Sequence, residues 1–111
     1  MTTFASVMRL CGLSQREAAD FLGVRLDTVT AWSSGRRPVP PGVWDMLADL
    51  WRRIEDAADN ASADPAISDP RALHKLEADD PDGLPGGAPE AAGAMALLIW
   101  LAERDAENDP A

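Results

Sequence analysis

Leu13–Pro40 reads LSQREAADFLGVRLDTVTAWSSGRRPVP, and its apolar spacing predicts two short helices joined by a tight turn. Ser14 and Glu17 have the spacing of a capping box: the serine hydroxyl accepts from an orphan amide and the glutamate reaches back to the cap. Ala18, Ala19 and Leu22 then form a small apolar face against which a second helix packs closely. Gly23 ends the first helix, because glycine adopts a left-handed backbone at least cost, and Val24 plugs the corner. Val29 and Trp32 form the inward face of the next helix, which Gly35 terminates. Arg25, Asp27, Thr28, Thr30 and Ala31 are thereby expected to face outward. A helix presented in this way fits a DNA major groove.

The flanking sequence extends the helical pattern. Phe4, Val7, Met8, Leu10 and Cys11 recur at helical spacing up to Gly12 and predict a helix ahead of the pair. Arg36-Arg37-Pro38-Val39-Pro40-Pro41 is a stiff connector, and Pro41 suits the first turn of a further helix. In that helix Trp44, Leu47, Trp51, Ile54 and Ala58 form a heptad-like seam, so these tryptophans belong to a core or an interface. Asn60 to Asp69, broken by Pro65, predicts a linker. Pro70 to Ala78 predicts a short helix capped by Asp69, with Leu73 and Leu76 inward. Asp79 to Pro89 predicts a loop. The last segment, about Glu90 to Glu107, predicts a helix whose middle is apolar almost all round. A chain this short has few helices to cover it, so a second subunit is expected to bury Leu97, Leu98, Trp100 and Leu101.

A chain of 111 residues amounts to one domain, or to one domain with an appendage. The expected organisation is an all-α chain with a helical DNA-binding unit over 1–59 and an acidic helical region, the dimerisation element, over 60–111. The formal charge of −9 argues against a polyanionic partner when taken for the whole chain. The charge is unevenly distributed, however. Residues 1–55 carry seven arginines against six carboxylates, a net of +1, whereas residues 56–111 carry three basic groups against thirteen acidic ones, a net of −10. With a screening length of about 8 Å in physiological salt, a distant acidic surface need not cancel a local arginine patch.

Ser14-Gln15, Ala18-Ala19, Leu22-Gly23-Val24, Thr28-Val29, Trp32 and Ser34-Gly35-Arg36 together resemble the lambda-repressor-like (Cro-type) helix-turn-helix family, over roughly residues 3–55. Trp32, Gly35, Val39-Pro40, Val43 and Leu47 further resemble small phage-associated repressors, including anti-CRISPR-associated autoregulators. The resemblance implies a five-helix bundle that binds operator DNA as a dimer. It also implies that Gln15 contacts phosphate or braces the recognition helix, since its amide donates while its oxygen accepts. Arg25, Leu26, Asp27 and Ala31 fall where the family contacts bases, but they depart from its usual glutamine, asparagine or serine. Arg25 suits guanine or phosphate, Leu26 and Ala31 suit a thymine methyl, and Asp27 suits cytosine N4. Thr28 matches a phosphate-contact position of the family, and Thr30 lies near the groove-facing side. Arg36 and Arg37 read as phosphate clamps assisted by Arg16, whereas Arg52 and Arg53 read as solvated charges or partners of Asp49 and Asp56.

Other chemistries lack their residues. The single cysteine excludes an intrachain disulfide and a cysteine-based zinc site, and Cys11 reads as a core thiol. His74 stands alone, which supports neither a metal site nor a general base. Gly83 and Gly86-Gly87 lack the lysine of a phosphate-binding loop. No cofactor, metal or enzymatic activity is expected. The longest apolar run, Ala94–Ala102, falls short of the about 20 residues a membrane span needs, and Met1-Thr2-Thr3 lacks the basic flank of a secretory signal. The expectation is a soluble cytoplasmic homodimeric regulator, a repressor whose two recognition helices enter successive major grooves of a palindromic operator about 34 Å apart. Two alternatives remain: a protein-interaction module, antitoxin-like or adaptor, whose acidic C-terminal region engages a basic partner, and an accessory protein that binds DNA with little sequence choice.

Overall fold

The computed structural model describes residues 1–67, 69–73 and 75–107, with side chains up to residue 104; His74 lies outside the described residues. Among the described residues every regular element of the chain is helical. Its elements are α1 (Thr3–Leu10), α2 (Gln15–Leu22), α3 (Leu26–Ser34), α4 (Pro41–Ser62) and α5 (Ala88–Glu107), with one 3-10 turn at Pro70–Ala72. Among the described residues no helix is long and apolar enough to cross a membrane.

Capping chemistry sets the first helices. Thr2 caps α1 by accepting from the Ala5 amide at 3.2 Å, and its hydroxyl donates to the Ser33 carbonyl at 2.7 Å, tying the start of α1 to the end of α3. Phe4 is 2% exposed. Its ring meets Trp32 of α3 edge-on at 5.6 Å and Trp44 of α4 at 6.0 Å, joining three helices through contacts worth about 0.5–1.5 kcal/mol each beyond their buried area. Pro41 opens α4, where its missing amide costs nothing.

The buried face of α4 is Leu47, Leu50, Ile54, Ala57 and Ala58, so the expected seam is corrected. Trp44 is 36% exposed and Trp51 half-buried, whereas Leu50 and Ala57 lie inside. The cause is α5, which packs along α4 and widens the stripe that must be covered. Ala88, Ala92 and Ala96, four residues apart and each 0% exposed, form the buried stripe of α5, their small side chains permitting close approach of neighbouring segments.

The expected helix over 70–78 forms only its first turn. Asp69 caps that turn by accepting from the Arg71 amide at 3.0 Å. Residues 75–78 lie outside any helix, and the Ala78 amide donates to the Pro89 carbonyl at 2.9 Å, at the start of α5. A Cβ on Gly93 would collide with the Leu76 carbonyl, so the backbone itself covers this side of α5. Leu76 is half-buried, but Leu73 stays 46% exposed, contrary to the inward position expected of it.

The two halves of the chain share one core. Phe4, Met8, Leu22, Val29, Leu50 and Ile54 belong to the same buried cluster as Ala78, Leu84, Ala88, Ala92 and Ala96. At the junction Gly12 and Gly87 touch backbone to backbone, and a Cβ on either would strike the other's carbonyl oxygen.

Candidate nucleic-acid interface

The local geometry of α2 and α3 follows from their caps. The Ser14 amide donates to Glu17 Oε1 at 2.9 Å and the Glu17 amide to Ser14 Oγ at 3.1 Å, closing the capping box. Ala18, Ala19 and Leu22 of α2 are buried with Val29 and Trp32 of α3. With its inner side committed to the core, α3 turns its other side to solvent. Its first turn begins at Arg25 with no side-chain cap, and the Thr28 amide turns back to the Arg25 carbonyl at 3.0 Å.

On the outer side of α3 the chain forms an open cleft of about 670 Å³ lined by Arg25, Asp27, Thr28, Thr30, Ala31, Arg36 and Arg37. Gly35 builds its far wall. At φ +82° it lets the chain reverse, so that the Gly35 amide bonds the Trp32 carbonyl at 3.2 Å and the Arg36 amide bonds the Ala31 carbonyl at 3.0 Å. These are the paired bonds of a Schellman ending. Ser34 then orients the arginine: its hydroxyl donates to the Ala31 carbonyl and accepts from Arg36 Nε, both at 3.2 Å. This role of Ser34 was missed from sequence, although a hydroxyl two residues before an arginine across a glycine is a signal that could have found it.

The cleft gathers seven of the ten residues read as DNA contacts, with one correction. Ala31 is 6% exposed and forms the floor, because the Gly35–Arg37 reversal folds back over the last turn of α3. Its methyl is thus largely covered, contrary to the outward exposure expected of it, while still lining the cleft. Gln15, Arg16 and Leu26 lie outside the lining. Gln15 is nevertheless joined to it, since the Thr30 hydroxyl donates to Gln15 Oε1 at 3.2 Å. Arg16 is exposed on α2, and Leu26 is 38% exposed at the start of α3. Three guanidinium groups face one carboxylate in the cleft, and the Arg25–Asp27 pair spans 3.8 Å with both side chains almost wholly in solvent. A cationic, open surface of this kind attracts an extended anion.

The acidic half is tied to α4 through an ion pair that sequence did not reveal. Arg53 Nε donates to Asp80 Oδ2 at 2.7 Å and Arg53 Nη2 to the Gly83 carbonyl at 3.2 Å. The guanidinium holds the Asp80 carboxyl below the usual carboxylate range, chiefly through this hydrogen bond. The expected partnership of Arg53 with Asp49 or Asp56 is thus replaced by one 27 positions away. Arg52 does pair with Asp49, at 3.2 Å on the surface. Burial pushes the Cys11 thiol up.

The four residues expected at a subunit interface differ in their surroundings. Leu97 lines a groove with Pro70, Leu73 and Leu76 of its own chain. The Trp100 ring lies 5.3 Å from the Arg71 guanidinium and 5.6 Å from that of Arg104. Leu101 is half-buried, and Leu98 is 65% exposed. A second apolar groove, lined by Val7, Leu10, Cys11, Trp44, Leu47, Ala48 and Trp51, runs between α1 and α4. No family model, curated protein or solved structure matches the chain.

Proposed function

We propose that this protein is a sequence-specific DNA-binding transcriptional regulator, a cytoplasmic repressor that occupies a palindromic operator as a homodimer. In this reading α1–α4 form a lambda-repressor-like helix-turn-helix bundle, α3 is the recognition helix, and α5 carries the dimer contact. The chain acts by occupancy and not as an enzyme. The observation that carries the reading is the cleft on the outer side of α3, which collects Arg25, Thr28, Thr30, Arg36 and Arg37 around one open surface while Val29 and Trp32 anchor the opposite side in the core.

The division of labour follows from the chemistry. Arg36 and Arg37 neutralise phosphates on one flank, Gln15 and Arg16 approach the backbone on the other, and the first turn of α3 meets base edges between them. Binding of the purified chain to an inverted repeat upstream of its gene, compared with a scrambled duplex over a range of salt concentrations, tests this. A repressor prefers its operator by about 10³-fold or more; equal affinity for both duplexes leaves only an accessory DNA-binding role.

A second reading, a protein-interaction module, is favoured by the apolar groove between α1 and α4, where Leu10 is 59% exposed beside Trp44. Absence of binding to any duplex at low salt would select it.

A further inference from the structure

We propose that Arg25 and Asp27 act together as a reader of one G·C base pair, Arg25 taking the guanine and Asp27 the cytosine across the two strands. The inference rests on the DNA-binding reading above and assigns the base pair that the first turn of α3 selects.

Neither side chain is occupied by the fold. Arg25 precedes α3 without capping it, and the two side chains are 87% and 90% exposed. A surface ion pair this open adds little to stability. A carboxylate at the mouth of an arginine-lined cleft also opposes phosphate. Asp27 therefore contributes to the choice of sequence and not to general affinity for DNA.

The pair also has the right order of donors and acceptors. Across the major groove a G·C pair shows guanine N7 and O6, both acceptors, and then the cytosine N4 donor. Guanine O6 and cytosine N4 are themselves joined by a hydrogen bond of about 2.9 Å. The Arg25 fork offers two donors, and the Asp27 acceptor lies beside it, with Nη2 and Oδ2 3.8 Å apart. Two donors followed by an acceptor meet two acceptors followed by a donor. An A·T pair presents acceptor, donor, acceptor, which sets one arginine N–H against adenine N6 and the carboxylate against thymine O4. The adjacency of the two groups thus matches one base pair and penalises the other.

Selection of full-length protein against a randomised duplex library, followed by competition binding, tests the pairing. The wild type is expected to enrich one invariant G·C position, and replacing that pair by A·T is expected to weaken binding about 5- to 150-fold. Asp27→Ala and Arg25→Lys should each erase the preference there and leave the other selected positions intact. Arg25→Lys keeps the charge and loses the fork, so its salt slope should match the wild type. Both positions are exposed, and circular dichroism melts should coincide with the wild type. If either variant still demands G·C at that position, the pairing is wrong while the DNA-binding reading stands. If the wild type binds duplexes but enriches no sequence, or binds none, the operator reading and this inference fall together.

Discussion

Thr30 Oγ1 lies 3.2 Å from Gln15 Oε1, and its hydroxyl donates across the corner between α3 and α2. The bond engages the glutamine oxygen and leaves the amide NH2 free to donate away from the protein. The two helices are thus locked by polar contact at their outer edge as well as by apolar contact inside.

Gln15→Ala and Thr30→Val are each expected to weaken DNA binding about 5-fold, the loss of roughly 1 kcal/mol of hydrogen bonding. Because the pair acts as a unit, the double variant should lose less than the sum of the two. Fluorescence anisotropy on all three variants checks this; strict additivity would show that the bond does not orient Gln15.

Replacing Arg36 and Arg37 together by alanine should weaken binding to every duplex and reduce the salt slope by about 2, one for each lost phosphate contact. Titrations at several salt concentrations read the slope directly. An unchanged slope removes both residues from the phosphate contact.

Leu98→Asp should convert a dimer into a monomer without unfolding it, since Leu98 is 65% exposed and lies outside the core. Trp100 is the poorer choice, because its ring also meets Arg71 and Arg104 within the chain. Light scattering that gives the same mass for variant and wild type rejects this face as the interface.

The Arg53–Asp80 ion pair links stability to acid. Its hydrogen bond lowers the Asp80 carboxyl in the folded chain, whereas the unfolded chain takes up a proton near the ordinary value of about 3.9. The stabilisation is therefore fully present above that value and is lost as pH falls through the folded one. Melting temperatures measured from neutral pH down to about 3 should fall less steeply for Asp80→Asn than for the wild type. Parallel curves would show that the pair contributes nothing to the acid limb.

Gly93→Ala places a methyl where the Leu76 carbonyl already sits and should destabilise the fold by about 1–3 kcal/mol, the range for overpacking. The exposed neighbour Ala94, changed to serine, should melt within about 0.5 kcal/mol of the wild type. Equal melting of the two variants would mean that the segment at Leu76 is not held against α5.

Short-range chemistry was legible. The bounds of α2 and α3 could be read because a capping box, two glycine endings and an apolar step of three or four residues all act within a turn or two of the chain. The outward Arg25, Asp27, Thr28 and Thr30 followed from the same helical phase, and Arg36 and Arg37 from their place just after α3. Ala31 was misjudged because phase alone cannot show that the Gly35–Arg37 reversal folds back over it. Leu50 and Ala57 were missed because the seam was drawn for one neighbour, and α5 is a second.

Sequence alone determined the helical class, the turn between α2 and α3, the inward direction of Val29 and Trp32, and the concentration of acid in the second half. Only the tertiary structure decided that Arg53 seeks Asp80, that Gly12 meets Gly87, and that Leu76 to Ala78 lie against α5 outside any helix. The difference is one of range. Caps and periodicity are satisfied by residues a few positions apart, whereas these contacts join segments tens of residues apart and form only when the whole chain closes around its shared core.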